Sequence, residues 1–124
     1  MLKANTENAH AMLDVDDHLP LTTVAFEILL AVGERETTGY EVMLAIEART
    51  AGRLNPNPGT LYRAIDRLVG DGLIEVTPTA GGGTKPRRRL SISELGRAVL
   101  AAESDRLAAQ IDAARSLGAS GSTR

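Results

Sequence analysis

A chain of 124 residues with 43% hydrophobic side chains is long enough for one small domain with a real core, and short for more than one. Aromatic residues make up only 2%, so that core must be aliphatic, and the absence of cysteine excludes disulfides and thiolate metal sites, which is compatible with the cytoplasm. The formal charge of −2 hides an asymmetry: residues 1–52 hold 3 basic and 9 acidic side chains, residues 53–97 hold 8 and 4, and such a basic middle suits a face for phosphates.

Residues 1–18 are polar, with Asp14, Asp16 and Asp17 close together and no sustained periodicity, which predicts a flexible leader. His10 and His18 stand apart there without clustered partners, so solvent-exposed histidines are a better reading than a metal site. A first helix is predicted from about Thr22 to Ala31, with Val24, Ala25, Ile28 and Leu29 on its apolar face and Gly33 ending it. Thr38-Gly39-Tyr40-Glu41 has the spacing of a capping box and opens a second helix to about Ala48 or Arg49. Tyr40, at that helix start, is a candidate contact to a nucleic-acid backbone; the alternative is a ring covering the core edge. Gly52 and Pro56 then mark a turn.

The stretch 57–74 reads NPGTLYRAIDRLVGDGLI. Asn57 can cap a helix whose Pro58 sits where a missing N–H is harmless. Leu61, Ala64, Ile65 and Leu68 form one apolar face, and Thr60, Tyr62, Arg63, Asp66 and Arg67 fall opposite, until Gly70 and Gly72 stop the helix. A short helix with hydroxyls, a phenol and guanidinium groups at its exposed start suits a DNA major groove; an ordinary amphipathic helix with a solvated face reads equally well. A strand is predicted over Leu73 to Thr77, followed by TAGGGTKP as a hairpin tip whose glycine spacing does not match a phosphate-binding P-loop. Lys85, Arg87, Arg88 and Arg89 place four cations on five positions of the returning strand, as groove or phosphate contacts or as a merely soluble basic surface. Strand alternation puts Arg87 and Arg89 on one side and Arg88 on the other.

Ser93 caps a last helix predicted to run to about Leu117, roughly 36 Å at 1.5 Å per residue. Leu100, Leu107 and Ala114 repeat by seven, with Ile111 and Leu117 on the same side. A partner subunit packed across a two-fold axis would cover that stripe; folding back onto its own domain is the alternative.

The run N-P-G-T-L-Y-R-A-I-x-R-L-x-x-x-G-L-I resembles the recognition-helix segment of PadR-type winged-helix transcriptional regulators. Gly39-Tyr40-Glu41, Arg87-Arg88-Arg89-Leu90 and Ile92-Ser93-Glu94-Leu95-Gly96-Arg97 follow the same order, and the resemblance covers roughly Leu21 to Leu100. It departs in the second wing strand, where arginines stand in place of the family's usual paired aromatic residues. The resemblance implies a mainly α fold with a small β-wing, a winged helix-turn-helix plus a long C-terminal dimerisation helix. The expected division is a leader over 1–18, a DNA-binding domain over 19–92, the dimerisation helix over 93–117 and a disordered tail over 118–124.

The expected function is sequence-specific binding of double-stranded DNA by a homodimer that regulates transcription, as a repressor acting on an inverted-repeat operator. Thr60, Tyr62 and Arg63 are expected to meet bases, and Asn57, Tyr40 and Arg67 to orient the helix on phosphates. Similar proteins respond to small aromatic or hydrophobic effectors; without Trp, this chain lacks the usual stacking chemistry, and an aliphatic pocket for an effector of undefined identity is the form left open. No cofactor is implied, and neither an apolar run of membrane-spanning length nor a signal-peptide pattern is present. Two histidines in the leader and serines without an evident base argue against an enzyme. A winged-helix protein-interaction module and a nonspecific nucleic-acid binder are the alternatives.

Overall fold

The computed structural model describes residues 15–79 and 87–122. Residues 15–17 form a single helical turn, and Val15 and Leu19, four apart, pack against the core. The end of the expected leader, 15–18, therefore belongs to the folded domain, while 1–14 lie outside the described residues.

Three helices follow. Helix α1, Thr23–Glu34, is capped by Thr22, whose hydroxyl accepts the Ala25 N–H at 3.0 Å. It runs through Gly33 rather than ending there, because an isolated glycine costs only about 1 kcal/mol in a helix that is otherwise buried along one face. Helix α2, Gly39–Thr50, starts in the expected capping box: Thr38 accepts the Glu41 N–H at 3.2 Å and the Glu41 carboxylate accepts the Thr38 N–H at 3.1 Å. Ala51 and Gly52, both left-handed, turn the chain out of α2. Helix α3, Pro58–Gly70, begins at Asn57, whose side chain accepts the Thr60 N–H at 2.8 Å. Gly70 is its last residue, and Gly72, at a φ of +81°, makes the turn into the sheet.

Strands β1, Ile74–Thr79, and β2, Arg87–Ile92, pair antiparallel with Ile74 opposite Ile92 and Val76 opposite Leu90. β1 extends past the expected Thr77 through Pro78, which a two-stranded sheet tolerates because each strand has a free edge. Thr37, between α1 and α2, forms a bridge with Leu90: its N–H donates to the Leu90 carbonyl at 3.0 Å and its carbonyl accepts the Leu90 N–H at 2.7 Å. That bridge ties the base of the hairpin to the helices.

Helix α4, Glu94–Ser122, starts at Ser93, whose hydroxyl accepts the Gly96 N–H at 2.9 Å and donates to the Gly72 carbonyl at 2.6 Å. Gly118 is no break: a lone glycine weakens a helix without ending it, so α4 passes the expected end at Leu117, and of the expected tail only 123–124 lie beyond it. The core is aliphatic throughout, formed by Ile28, Leu29, Val42, Ile46, Leu61 and Ile65 with the strand residues Ile74, Leu90 and Ile92 and with Val99 of α4.

The first turns of α4 belong to this core, so the packing seam falls later than residue 93. Leu100, expected on the dimer stripe, packs against the domain's own core. Leu107 is half-buried, whereas residues 108–118, including Ile111, Ala114 and Leu117, are exposed on every side, Leu117 to 77%. Among the described residues no helix is long and apolar enough to cross a membrane.

Candidate nucleic-acid interface

The two faces of α3 separate as the spacing predicts. Leu61, Ile65 and Leu68 are buried, Ala64 and Thr60 half-buried, and Tyr62, Arg63, Asp66 and Arg67 exposed. The cap fixes where this face begins. The Asn57 side-chain oxygen accepts the Thr60 N–H, which turns the Asn57 amide nitrogen outward as the donor a phosphate would meet. The Arg63 guanidinium reaches back along the helix start, with Nη1 3.5 Å from where a Cβ on Gly59 would lie. Among the described residues neither Arg63 nor Arg67 has a hydrogen-bond or ion-pair partner, which leaves both guanidinium groups available. On the flank of α3 facing the chain's start, both arginines line an open cleft of about 720 Å³ together with Leu19, Leu21 and Leu68.

Tyr62 leans toward α2, where a Cβ on Gly39 would lie 2.5 Å from its ring Cε1. Glycine at position 39 is therefore what lets the phenol rest on the start of α2, a role not anticipated from sequence. Tyr40, the next residue, is 59% exposed, so its ring does not cover the core edge and the two phenols sit on neighbouring surface. The start of α2 already carries an anion. The Thr38 hydroxyl and then the Thr38 backbone N–H hold the Glu41 carboxyl below the usual carboxylate range, with Thr37 and Arg89 adding to the effect. A phosphate at this helix start would meet the charge of Glu41, so any Tyr40 contact depends on its own hydroxyl rather than on the helix N-terminus.

The wing arginines separate as strand alternation requires. Arg88 leaves β2 toward α3 and pairs with Asp66, Nη1 to Oδ1, at 3.2 Å. Arg89 leaves on the other side and pairs with Glu36, Nε to Oε1, at 2.7 Å, with Nη2 3.4 Å from the Glu36 carbonyl. Arg87 is placed in β2 by its backbone; its side chain and all of Lys85 lie outside the described residues. Neither Asp66 nor Glu36 was given a role from the sequence.

A second residue that sequence reasoning missed is Glu103, on α4. Its side chain is buried, accepts the Leu21 N–H at 2.9 Å and pairs with both Nε and Nη2 of Arg106. It thereby ties the segment before α1 to α4. His18 is half-buried in the turn before α1 and His10 lies outside the described residues. Among the described residues no three His, Cys, Asp or Glu side chains are placed to hold a metal ion.

Comparisons with known proteins bear on this arrangement. The model of the transcriptional regulator PadR-like family matches residues 28–102. The transcriptional regulator YqjI of Escherichia coli (strain K12) is 32% identical over 79 residues, which is 64% of this chain and 35% of that protein, so the chain spans only part of that relative's length. Among solved structures, a transcriptional regulator from Clostridium thermocellum superimposes with a TM-score of 0.66 at 22% identity, covering 75% of this chain and 87% of the other. A PadR family regulator from Eggerthella lenta DSM 2243 gives 0.64 at 19% identity over 100% and 99% of the two chains. Bacillus subtilis PadR in complex with operator DNA gives 0.58 at 16% identity, over 64% of this chain and 45% of that one. At these identities the structures establish a shared winged-helix fold. The family match spans more than half of the chain and takes in α2, α3, the wing strands and the start of α4; this protein belongs to the PadR-like family of transcriptional regulators, not to a family of enzymes.

Proposed function

We propose that this chain binds double-stranded DNA sequence-specifically, as a homodimer in the cytoplasm, and represses transcription from an inverted-repeat operator. The observation that carries the reading is α3 itself. Its inner face buries Leu61, Ile65 and Leu68, its outer face presents Tyr62, Arg63 and Arg67 to solvent, and both guanidinium groups are unengaged among the described residues. Arg63 is the base reader, because a guanidinium bridges two acceptors on guanine in the major groove. Arg67, Tyr40 and the amide of Asn57 orient the helix on phosphates, and Lys85 and Arg87 are the wing's DNA contacts.

The dimer reading is supported by the apolar Ile111 and Leu117, left exposed on the outer half of α4. A two-fold dimer reading successive half-sites needs its recognition helices about 34 Å apart, one turn of DNA, and the matching site is an inverted repeat. Repression follows the family reading alone. Response to a small hydrophobic effector belongs to the same proposal, and the cleft beside Arg63 and Arg67, with Leu19, Leu21 and Leu68 in its lining, offers apolar surface next to the helix such a ligand would have to influence.

The test is binding of a labelled duplex from just upstream of the protein's own gene, beside a scrambled duplex and the Arg63→Ala variant, at two salt concentrations. The native duplex is expected to bind far more tightly than the scramble, and Arg63→Ala to lose about 1–3 kcal/mol of that discrimination. Equal binding of both duplexes with a steep salt dependence would make this a nonspecific binder. No binding to either at low salt would turn the assignment to a protein-interaction module.

A further inference from the structure

We propose that Arg88 and Arg89 are positioning residues for the wing rather than phosphate contacts, and that Asp66 and Glu36 are the carboxylates that hold them; the proposal rests on the DNA-binding reading above. The wing is a two-stranded hairpin, and an isolated hairpin is marginally stable at best. Its orientation must therefore come from attachments at its base. The Thr37–Leu90 bridge supplies one. The two ion pairs flank it: Arg89 to Glu36 immediately beside the bridge, and Arg88 to Asp66 on the side of α3.

The strand geometry explains the pairing. Arg88 shares a face of β2 with Leu90 and Ile92, which are core residues, so its stem leaves the sheet toward the helices and meets Asp66 on the outer surface of α3. Arg89 points to the opposite side, into a corner that holds both Glu36 and Glu41; its charge helps keep the Glu41 carboxyl ionised. Each guanidinium keeps free N–H donors while paired, but a phosphate drawn to it also meets the adjacent carboxylate, so the paired arginine attracts a phosphate less than a lone one does. Both pairs are partly exposed and contribute little to the stability of the fold. Their consequence is where the wing points and how much free positive charge it carries. With two of the cluster's arginines neutralised locally, fewer counterions are released on binding than a tally of the sequence's cations implies.

The two roles for Arg88 predict effects of opposite sign. The 124-residue chain is used to enrich duplexes from a random-sequence pool, and the enriched duplex is titrated against wild type, Asp66→Asn, Arg88→Ala and the double variant across a salt series, with circular dichroism melts of each. If the pair positions the wing, both single variants weaken binding by a similar factor, up to about fivefold, and the double variant is no weaker than either. The slope of log affinity against log salt stays at the wild-type value. If Arg88 is instead a phosphate contact shielded by Asp66, then Asp66→Asn binds more tightly than wild type and Arg88→Ala reduces the slope by about 0.9. That pattern, or wild-type affinity in both single variants, overturns the positioning role while leaving DNA binding intact. A wild-type chain that enriches no duplex overturns both readings together.

Discussion

Gly96→Ala is expected to destabilise the protein by about 3 kcal/mol, lowering its urea midpoint at fixed protein concentration without changing the denaturant slope. Helix propensity alone argues the reverse, since alanine is better than glycine in a helix by about 1 kcal/mol. Sterics decide. A Cβ on Gly96 would lie 2.2 Å from the Leu73 carbonyl oxygen and 2.8 Å from Ile92 Cγ1. The first of these is backbone, and it cannot swing aside like the end of a side chain. The Leu73 carbonyl also accepts the Ser93 N–H at 3.0 Å, while the Ser93 hydroxyl bonds both the Gly72 carbonyl and the Gly96 N–H. Making room means parting the start of α4 from the corner between α3 and β1, and those hydrogen bonds loosen together. Gly70→Ala is the control. That position ends α3 with no positive φ and with open space where the Cβ would go, so there the propensity gain should emerge as a small stabilisation. If Gly96→Ala were as stable as Gly70→Ala, the close approach of α4 to Leu73 would be wrong.

Gly96 also illustrates what the sequence does and does not disclose. Residues 57–74 could be read for their fold because each signal there is local: a cap, a proline in the first turn, apolar residues at helical spacing and a stopping glycine. The capping box at Thr38 and the cap at Ser93 are local in the same way. Gly96, three residues after the Ser93 cap, gave no such signal, because the Leu73 carbonyl that excludes a side chain there lies 23 residues away in sequence. The candidate surface was partly legible, because the exposed arc of α3 follows from its period. Its electrostatics were not. The partners of Arg88, Arg89 and the Leu21 N–H lie 22, 53 and 82 residues away in sequence, and no periodicity encodes such meetings. Four cations in five positions therefore read as free charge, whereas the described two are each engaged by a carboxylate.

The longest-range of these contacts gives the second large effect. Glu103→Ala is expected to cost about 2–4 kcal/mol, because it leaves the part-buried Leu21 N–H without its acceptor and opens a gap under α4. The figure leans on burial and hydrogen bonding rather than on the ion pair, since the Arg106 side chain is about one-third exposed and water screens its charge. Glu103 itself is 1% exposed, and it is one of only two buried polar residues among those described, Thr37 being the other. The hydrogen bond from Arg106 is the main cause that holds the Glu103 carboxyl below its ordinary range; burial opposes it, and the Leu21 N–H adds to the lowering. A carboxyl whose folded pKa is depressed contributes stability that is fully present above its unfolded pKa, near 4.5, and is lost as pH falls through the lower folded value. Glu103→Gln separates the two contributions: it keeps an oxygen for the Leu21 N–H but has no charge to lose on acidification. Its melting temperature should therefore fall less than that of Glu103→Ala at pH 7, and should decline less steeply than wild type on acidification below pH 4.5. Glu41, also depressed, titrates in wild type and variant alike, so the difference between the two curves isolates Glu103. Parallel curves for Glu103→Gln and wild type would mean that the carboxylate carries no charge-dependent stability, and that the Leu21 hydrogen bond and packing alone hold the segment before α1 to α4.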